Sequence, residues 1–199
     1  SYTKVTYDLN NNVIQYRNRR GFVTSLSYDG LDRIIHASYP DNVINTISYG
    51  YDAANNELVT YTDGEGRVTR EYYDLGGRLF KEETEDSIIT YEYDYVGNMI
   101  KSTDADGHTV IAKYDKLNRN THIIRDPEGI NIVTEFTYDL LGNKLSVKDG
   151  EGNVTNYQYD LINRLKRVTQ TVDGETIQTS YAYDIVEGNL VANKVTDAL

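Results

Sequence analysis

The side chains that could do chemistry in this chain of 199 residues are mainly carboxylates and phenols, because it has 31 Asp and Glu and 19 Tyr but no cysteine. Carboxylates can bind calcium or transfer protons, and phenols can stack on sugars. The three histidines, His36, His108 and His122, have no fixed spacing to a serine or to paired carboxylates. Without a base oriented toward a nucleophile, the sequence predicts no catalytic residues and no enzyme.

Calcium is the metal that the acidic segments could bind, since Asp104, Asp106 and their counterparts place oxygen ligands on a short loop. A full calcium site needs about six or more oxygens, and these segments have few acids and no bidentate glutamate at the far end. Aspartate that caps the amides of a turn explains the same pattern. We therefore expect no metal and no cofactor.

A tyrosine-aspartate pair recurs along the whole chain at intervals of 20 to 24 residues. Four residues after the tyrosine comes a turn former in the first eight copies, and Arg or Asn usually follows. The residues that define the repeat are Tyr7, Asp8, Tyr28, Asp29, Tyr51, Asp52, Tyr73, Asp74, Gly77, Arg78, Tyr93, Asp94, Gly97, Tyr114, Asp115, Tyr138, Asp139, Gly142, Tyr159, Asp160, Arg164, Tyr183 and Asp184. Nine copies indicate architecture, whereas a catalytic site is a single arrangement.

A second turn cluster lies midway between successive pairs, as at residues 63–66 and 149–152. Each repeat therefore has two short strands and two turns, or about 18 strands in all. No segment has the apolar spacing of a helix. The sequence predicts an all-β fold of tandem antiparallel β-hairpin repeats, in which helix is nearly absent.

Alternation along the strands places each repeated tyrosine and the residue two positions before it on one apolar face, as for Leu26 and Tyr28. We expect the repeated tyrosines to lie in register on this face, each near the tyrosine of adjacent repeats. The fourth repeat departs from the pattern, because Glu71 stands where an apolar residue is expected and Tyr72 adjoins Tyr73.

The net charge of −11 repels phosphate backbones, so we expect no nucleic-acid partner. No apolar run is long enough for a membrane helix, which predicts no membrane insertion. The chain opens at Ser1 on a strand-like segment without a signal peptide. We expect residues 1–199 to form a single array of about nine repeats within a larger protein.

These repeats resemble the RHS or YD-repeat family, whose pattern runs Tyr-Asp-x-x-Gly-Arg-Leu, then Thr-Asp-x-x-Gly, then Thr-x-Tyr-x-Tyr-Asp. Residues 59–79 and 145–165 follow it closely. The resemblance implies a curved, spiralling sheet, part of the wall of a hollow β-shell that in bacterial RHS and toxin-complex proteins encloses a C-terminal toxin-like domain. A similar barrel serves adhesion in animal teneurins. The resemblance also implies a secreted or cell-surface location, with the rest of the parent chain and its enclosed domain as partners.

Other interpretations stay open beside the shell wall. The run Asp-Pro-Glu-Gly at residues 126–129 is similar to an element of an RHS self-cleavage site, but it occupies a second-turn position where proline and glycine suit a β-turn. Exposed tyrosines could instead make the chain a carbohydrate- or protein-binding module of a cell surface. The terminal segments, around residues 3–7 and 190–195, carry few charges and no proline, so we expect edge-to-edge self-association.

Overall fold

The computed structural model describes residues 2–40, 43–186 and 189–198, with side chains up to residue 183. Eighteen strands follow one another: β1 Lys4–Tyr7, β2 Val13–Arg17, β3 Val23–Tyr28, β4 Ile34–Ser38, β5 Ile44–Tyr51, β6 Glu57–Thr62, β7 Val68–Tyr73, β8 Leu79–Glu83, β9 Ile88–Tyr93, β10 Met99–Thr103, β11 Thr109–Tyr114, β12 Asn120–Arg125, β13 Ile132–Tyr138, β14 Lys144–Lys148, β15 Val154–Tyr159, β16 Leu165–Val172, β17 Glu175–Val186 and β18 Asn189–Ala198. The prediction of an all-β fold of tandem hairpins is confirmed. In the described part of the chain, no helix is long and apolar enough to span a membrane.

Contacts divide the chain into two compact units: residues 1–92 with 103–107, and residues 93–102 with 108–199. In the N-terminal unit each strand from β1 to β9 pairs antiparallel with the next. In the C-terminal unit the strands from β11 to β18 pair in the same way. Each unit is thus a succession of hairpins in sequence order.

The turn after each of the first eight tyrosine-aspartate pairs contains one residue in the left-handed backbone region. A type I turn followed by such a residue is a common hairpin loop, and Gly, Asn and Asp tolerate its positive φ better than other residues. The positive φ falls on every predicted turn former of the first eight repeats: Asn11, Asp32, Asn55, Gly77, Gly97, Asn118, Gly142 and Asn163. The local sequence therefore specifies this turn.

A register shift accompanies most of these turns and adds one residue to the strand that leaves the turn. In the second repeat, Ser27 pairs with His36 whereas Tyr28 pairs with Ile34, which leaves Ile35 over as a bulge. The same shift occurs between Thr6 and Tyr7, Tyr72 and Tyr73, Lys113 and Tyr114, Thr137 and Tyr138, and Gln158 and Tyr159. The third repeat has none, because Gly50 pairs with Leu58 and Tyr51 with Glu57.

Almost none of the side chains that the structure describes is deeply buried. Among the described side chains, the buried apolar residues are Ala37 and Val59, which are 7% and 6% exposed. The repeated tyrosines and most aliphatic residues of the strands are only partly covered. Strand pairing and contacts between neighbouring strands therefore hold the sheet together, in place of a central core.

Candidate functional site

The aspartate of each of the first eight tyrosine-aspartate pairs binds the backbone of its own turn. Asp29 Oδ1 accepts hydrogen bonds from the amides of Leu31 at 2.9 Å and Arg33 at 3.0 Å, and Asp29 Oδ2 accepts one from Arg33 Nε at 2.8 Å. The same arrangement of amides and side chain surrounds Asp8, Asp52, Asp74, Asp94, Asp115, Asp139 and Asp160. Both carboxylate oxygens are thus occupied within the turn, so the repeated aspartate caps its turn, a role that the sequence analysis assigned only to the aspartates of the second turns. The side chain of Asp184 lies outside the described residues.

These hydrogen bonds favour the ionised carboxylate and lower its pKa. The side-chain hydrogen bond from Arg33 is the largest cause for Asp29, and those from Arg78 and Arg119 act in the same way on the pKa of Asp74 and Asp115. For Asp160 the largest cause is the backbone amide of Arg164. The second turns repeat this device, since Arg67 lowers the pKa of Asp63.

The arginine that follows the left-handed residue also contacts the next repeat. The guanidinium carbon lies over a tyrosine ring in three pairs: Arg33 and Tyr49 at 3.9 Å, Arg119 and Tyr138 at 4.9 Å, and Arg164 and Tyr183 at 4.5 Å. Arg119 Nη1 in addition donates to the Asp139 carbonyl at 2.6 Å. A single arginine therefore joins its own aspartate to the tyrosine of the following hairpin, a role that the sequence pattern does not predict.

Where asparagine replaces the arginine, the contact to the next repeat is different. The Nδ2 of Asn12 donates to Asp32 Oδ1 at 2.7 Å, and the equivalent bonds from Asn98 to Asn118 and from Asn143 to Asn163 are both 3.1 Å long. Each acceptor is the left-handed residue of the following turn. Arginine and asparagine are thus two ways of linking successive turns.

The repeated tyrosines bind the preceding repeat through their hydroxyl groups. The Tyr28 hydroxyl donates to the Val13 carbonyl at 2.9 Å. Val13 lies six residues after Tyr7, the tyrosine of the preceding repeat. The tyrosines that donate to the corresponding carbonyl are Tyr114, Tyr138, Tyr159 and Tyr183, at 2.7 to 3.0 Å. For these repeats the tyrosines share one role.

The third repeat corrects the prediction, because Tyr49 and not Tyr51 takes this position. Tyr49 donates to the Ile34 carbonyl at 3.2 Å, whereas Tyr51 is 71% exposed and has no such bond. The spacing from Tyr28 to Tyr51 is 23 residues, two more than from Tyr28 to Tyr49. The two surplus residues lengthen β5, so Tyr51 lies beyond the carbonyl.

The expectation that each repeated tyrosine lies near the tyrosines of adjacent repeats stays a prediction, and three tyrosine rings have another neighbour. The rings of Tyr49, Tyr138 and Tyr183 each lie against a guanidinium group. Arginine fits there because its planar head can stack on the ring while it still binds aspartate.

The fourth repeat places a carboxylate among the tyrosines. Tyr73 donates to Glu71 Oε2 at 2.6 Å. Burial, reinforced by the negative charge of Glu71 and a hydrogen bond to it, raises the pKa of Tyr61 to about 12. Tyr72 points to the opposite face, where the Lys81 ammonium lies 4.3 Å from its ring centre. Glu71 therefore replaces an apolar residue by accepting hydrogen bonds from neighbouring phenols.

These geometries describe a repeat whose characteristic residues bind one another. Residues 7–44 match the family model described as RHS Repeat. Residues 7–44 therefore carry an RHS repeat. The resemblance to the RHS or YD-repeat family, predicted from the sequence, is thereby confirmed. No match was found among curated proteins.

Solved structures similar to this chain include chains of Tc toxin assemblies. The chain is similar to one in a crystal structure of TcdB2-TccC3-TEV, with 19% identity and a TM-score of 0.60 over 98% of this chain. It is also similar to one in a Photorhabdus luminescens Tc holotoxin pore with a TccC3 mutation, with 18% identity and a TM-score of 0.61 over 98% of this chain. A third match, TcdB2-TccC3 without its hypervariable C-terminal region, has 18% identity and a TM-score of 0.57 over 92% of this chain. The chain spans about 12% of the length of each of these chains.

Proposed function

We propose that this RHS-repeat chain is a structural segment in the wall of a hollow β-shell, within a larger secreted or cell-surface protein whose C-terminal toxin-like domain it helps to enclose. The observation that carries the proposal is the use of the repeated residues. Aspartate caps a turn, arginine joins that turn to the next tyrosine, and the tyrosine hydroxyl binds the preceding strand. These contacts hold neighbouring hairpins side by side. The function that they support is enclosure and not catalysis.

The shell proposal is also supported by the likeness to Tc toxin chains, of which this length forms a small part. In such a protein the partners are the remainder of the parent chain and the domain that follows the repeats. The strand edges at the two ends, β1 and β18, would pair with further strands of the parent. When the chain is isolated, these edges are the surfaces through which we expect it to self-associate.

Protease protection in the parent protein tests the proposal. The domain that follows the repeats should resist proteolysis in the parent and become sensitive when Arg119→Ala and Tyr138→Ala together weaken one joint between hairpins. Lys116→Ala, a change at an exposed position of the same turn, serves as the control and should leave protection intact. Equal protease sensitivity of that domain in the parent and as a separate protein would contradict enclosure.

A protein-binding module is the second candidate, because the tips of the tyrosine-aspartate turns expose large apolar side chains. The aliphatic residues there that are at least 73% exposed are Leu9, Leu31, Leu75, Leu140, Leu141 and Leu161. Carbohydrate binding is less well supported, since arginine covers one face of Tyr49, Tyr138 and Tyr183, where a sugar ring would stack. Binding of the isolated chain to one sugar class on a glycan array would favour the carbohydrate module over the wall.

A further inference from the structure

The turn between β2 and β3 differs in charge from the other second turns. We call residues 17–22, Arg-Asn-Arg-Arg-Gly-Phe, the arginine turn. Asn18 Oδ1 accepts from the amides of Arg20 at 2.9 Å and Phe22 at 3.2 Å, and Asp63 Oδ1 caps its own turn in the same way. The turn uses the capping oxygen of Asn18 and the positive φ of Gly21, and neither feature requires arginine at its other positions.

The arginines of this turn are exposed and lack acidic partners. Within the described part of the chain, Arg17, Arg19 and Arg20 form no ion pair, whereas Arg33 binds Asp29. Lys4 stands directly opposite Arg17 in the pairing of β1 with β2. Like charges in directly opposite positions destabilise a sheet, and a bound anion would remove that cost.

The surrounding charge makes this cluster more distinctive. Residues 1–24 contain Lys4, Arg17, Arg19 and Arg20 but only one acid, Asp8, so their net charge is +3. Since the whole chain has a net charge of −11, the remaining residues have a net charge of −14. A negatively charged partner is attracted to this hairpin and repelled elsewhere, which favours a single docking position.

Aromatic rings border the arginine turn on both sides. Tyr16 and Phe22 are 42% and 48% exposed, and with Thr24 and Pro40 they line a shallow depression. Tyr2, which is 73% exposed, lines a second depression with Arg17, Arg19 and Gly21. Arginine together with exposed aromatic residues is the composition of protein-binding surfaces.

We propose that the arginine turn binds a short acidic segment of a partner protein, whose carboxylates contact Arg17, Arg19 and Arg20 while its apolar side chains pack on Tyr16 and Phe22. Guanidinium groups bind carboxylates through paired hydrogen bonds. The patch spans β1 to β3, roughly 10–15 Å at the usual strand spacing. A polynucleotide would extend past it toward the acidic turn at residues 63–66, so a short segment fits better.

The test measures fluorescence anisotropy of a labelled peptide that alternates glutamate and leucine, with the complete chain. Binding should weaken by about tenfold when Arg17→Ser, Arg19→Ser and Arg20→Ser are combined, because three exposed ionic contacts are lost. The matched control combines Lys113→Ser, Lys116→Ser and Lys166→Ser, which removes the same charge from exposed positions elsewhere. The control should change the affinity by less than about twofold.

A charge-reversed variant shows whether the hairpin remains folded and able to bind. The combination of Arg17→Glu, Arg19→Glu and Arg20→Glu should bind a peptide that alternates lysine and leucine and reject the glutamate peptide. Equal weakening in the arginine and lysine variants would overturn the proposal, because binding would then follow total charge. Tighter binding of oligothymidine or of phosphatidylserine vesicles than of the glutamate peptide would overturn it in favour of those partners.

Discussion

Replacement of Tyr49 and Tyr51 by alanine, one at a time, distinguishes the contacts of the structure from the motif in the sequence. The motif makes Tyr51 the important residue, whereas the structure gives its role to Tyr49. The Tyr49 hydroxyl binds the Ile34 carbonyl at 3.2 Å, and its ring carries the guanidinium group of Arg33. We therefore expect Tyr49→Ala to destabilise the N-terminal unit far more than Tyr51→Ala.

The magnitude follows from the contacts that are lost. The hydrogen bond contributes about 0.5–1.5 kcal/mol net, and the cation–π contact contributes roughly 0.5–1 kcal/mol at an exposed site. Loss of the partly covered ring adds on the order of 1 kcal/mol. Tyr49→Ala should therefore lower the free energy of unfolding by about 2–3 kcal/mol. Tyr51, which is 71% exposed, should contribute within about 0.5 kcal/mol.

Urea denaturation followed by far-ultraviolet circular dichroism measures the loss, and hydrogen exchange locates it. The amides of β4 and β5 should exchange faster in Tyr49→Ala than in the unmodified chain, since repeats transmit a loss mainly to their neighbours. Tyr49→Phe keeps the ring, so it should lose less than half as much stability as Tyr49→Ala. Equal losses for Tyr49→Ala and Tyr51→Ala, or a larger loss for Tyr51→Ala, would refute the reasoning.

Three further measurements probe the turn and the phenols. Because the pKa of Asp115 is lowered from its ordinary value of 3.8, the ionised carboxylate stabilises the fold at pH values above 3.8. The stability lost in Asp115→Asn, measured by urea unfolding, should therefore shrink as the pH falls below 3.8. Arg119→Lys should cost about 1–2 kcal/mol in the same assay, because lysine lacks the planar fork that reaches the Asp139 carbonyl; no loss would contradict this role. The raised pKa of Tyr61 stabilises the fold below pH 10.0, and this contribution is lost as the pH rises through about 12. In an ultraviolet titration Glu71→Gln should bring this pKa back toward 10.0, and an unchanged value would exclude the carboxylate as a cause.

The features that the sequence predicts well are those that one turn determines. Gly77 and Asn118 occupy the same turn position because few other residue types accept a positive φ there. Asp115 lies four residues before Arg119, and that fixed spacing brings both side chains to one hairpin loop. Local geometry is enough to derive both the turn and its cap.

Contacts between repeats were harder to predict, because they depend on which strands become neighbours. The contact of Arg33 with Tyr49 joins residues 16 positions apart, and neither residue type requires the other. The spacing does contain a signal for Tyr49, which follows Tyr28 by the 21 residues found between several other pairs. Tyr51 lies two residues after Tyr49, and because side chains alternate along a strand it faces the same side of the sheet. The alternation pattern alone therefore does not reveal that Tyr49 has taken the position of the repeated tyrosine.

The near absence of buried residues bears on how such a chain can change in evolution. An ordinary domain that gains a segment must refill its interior, and each added side chain needs a matching space. Here Arg119 and Asn143 meet the following hairpin through different but equivalent joints. A duplicated or exchanged hairpin therefore needs compatible partners only at its two borders, so recombination within the gene can alter the number of copies without redesign of the remainder.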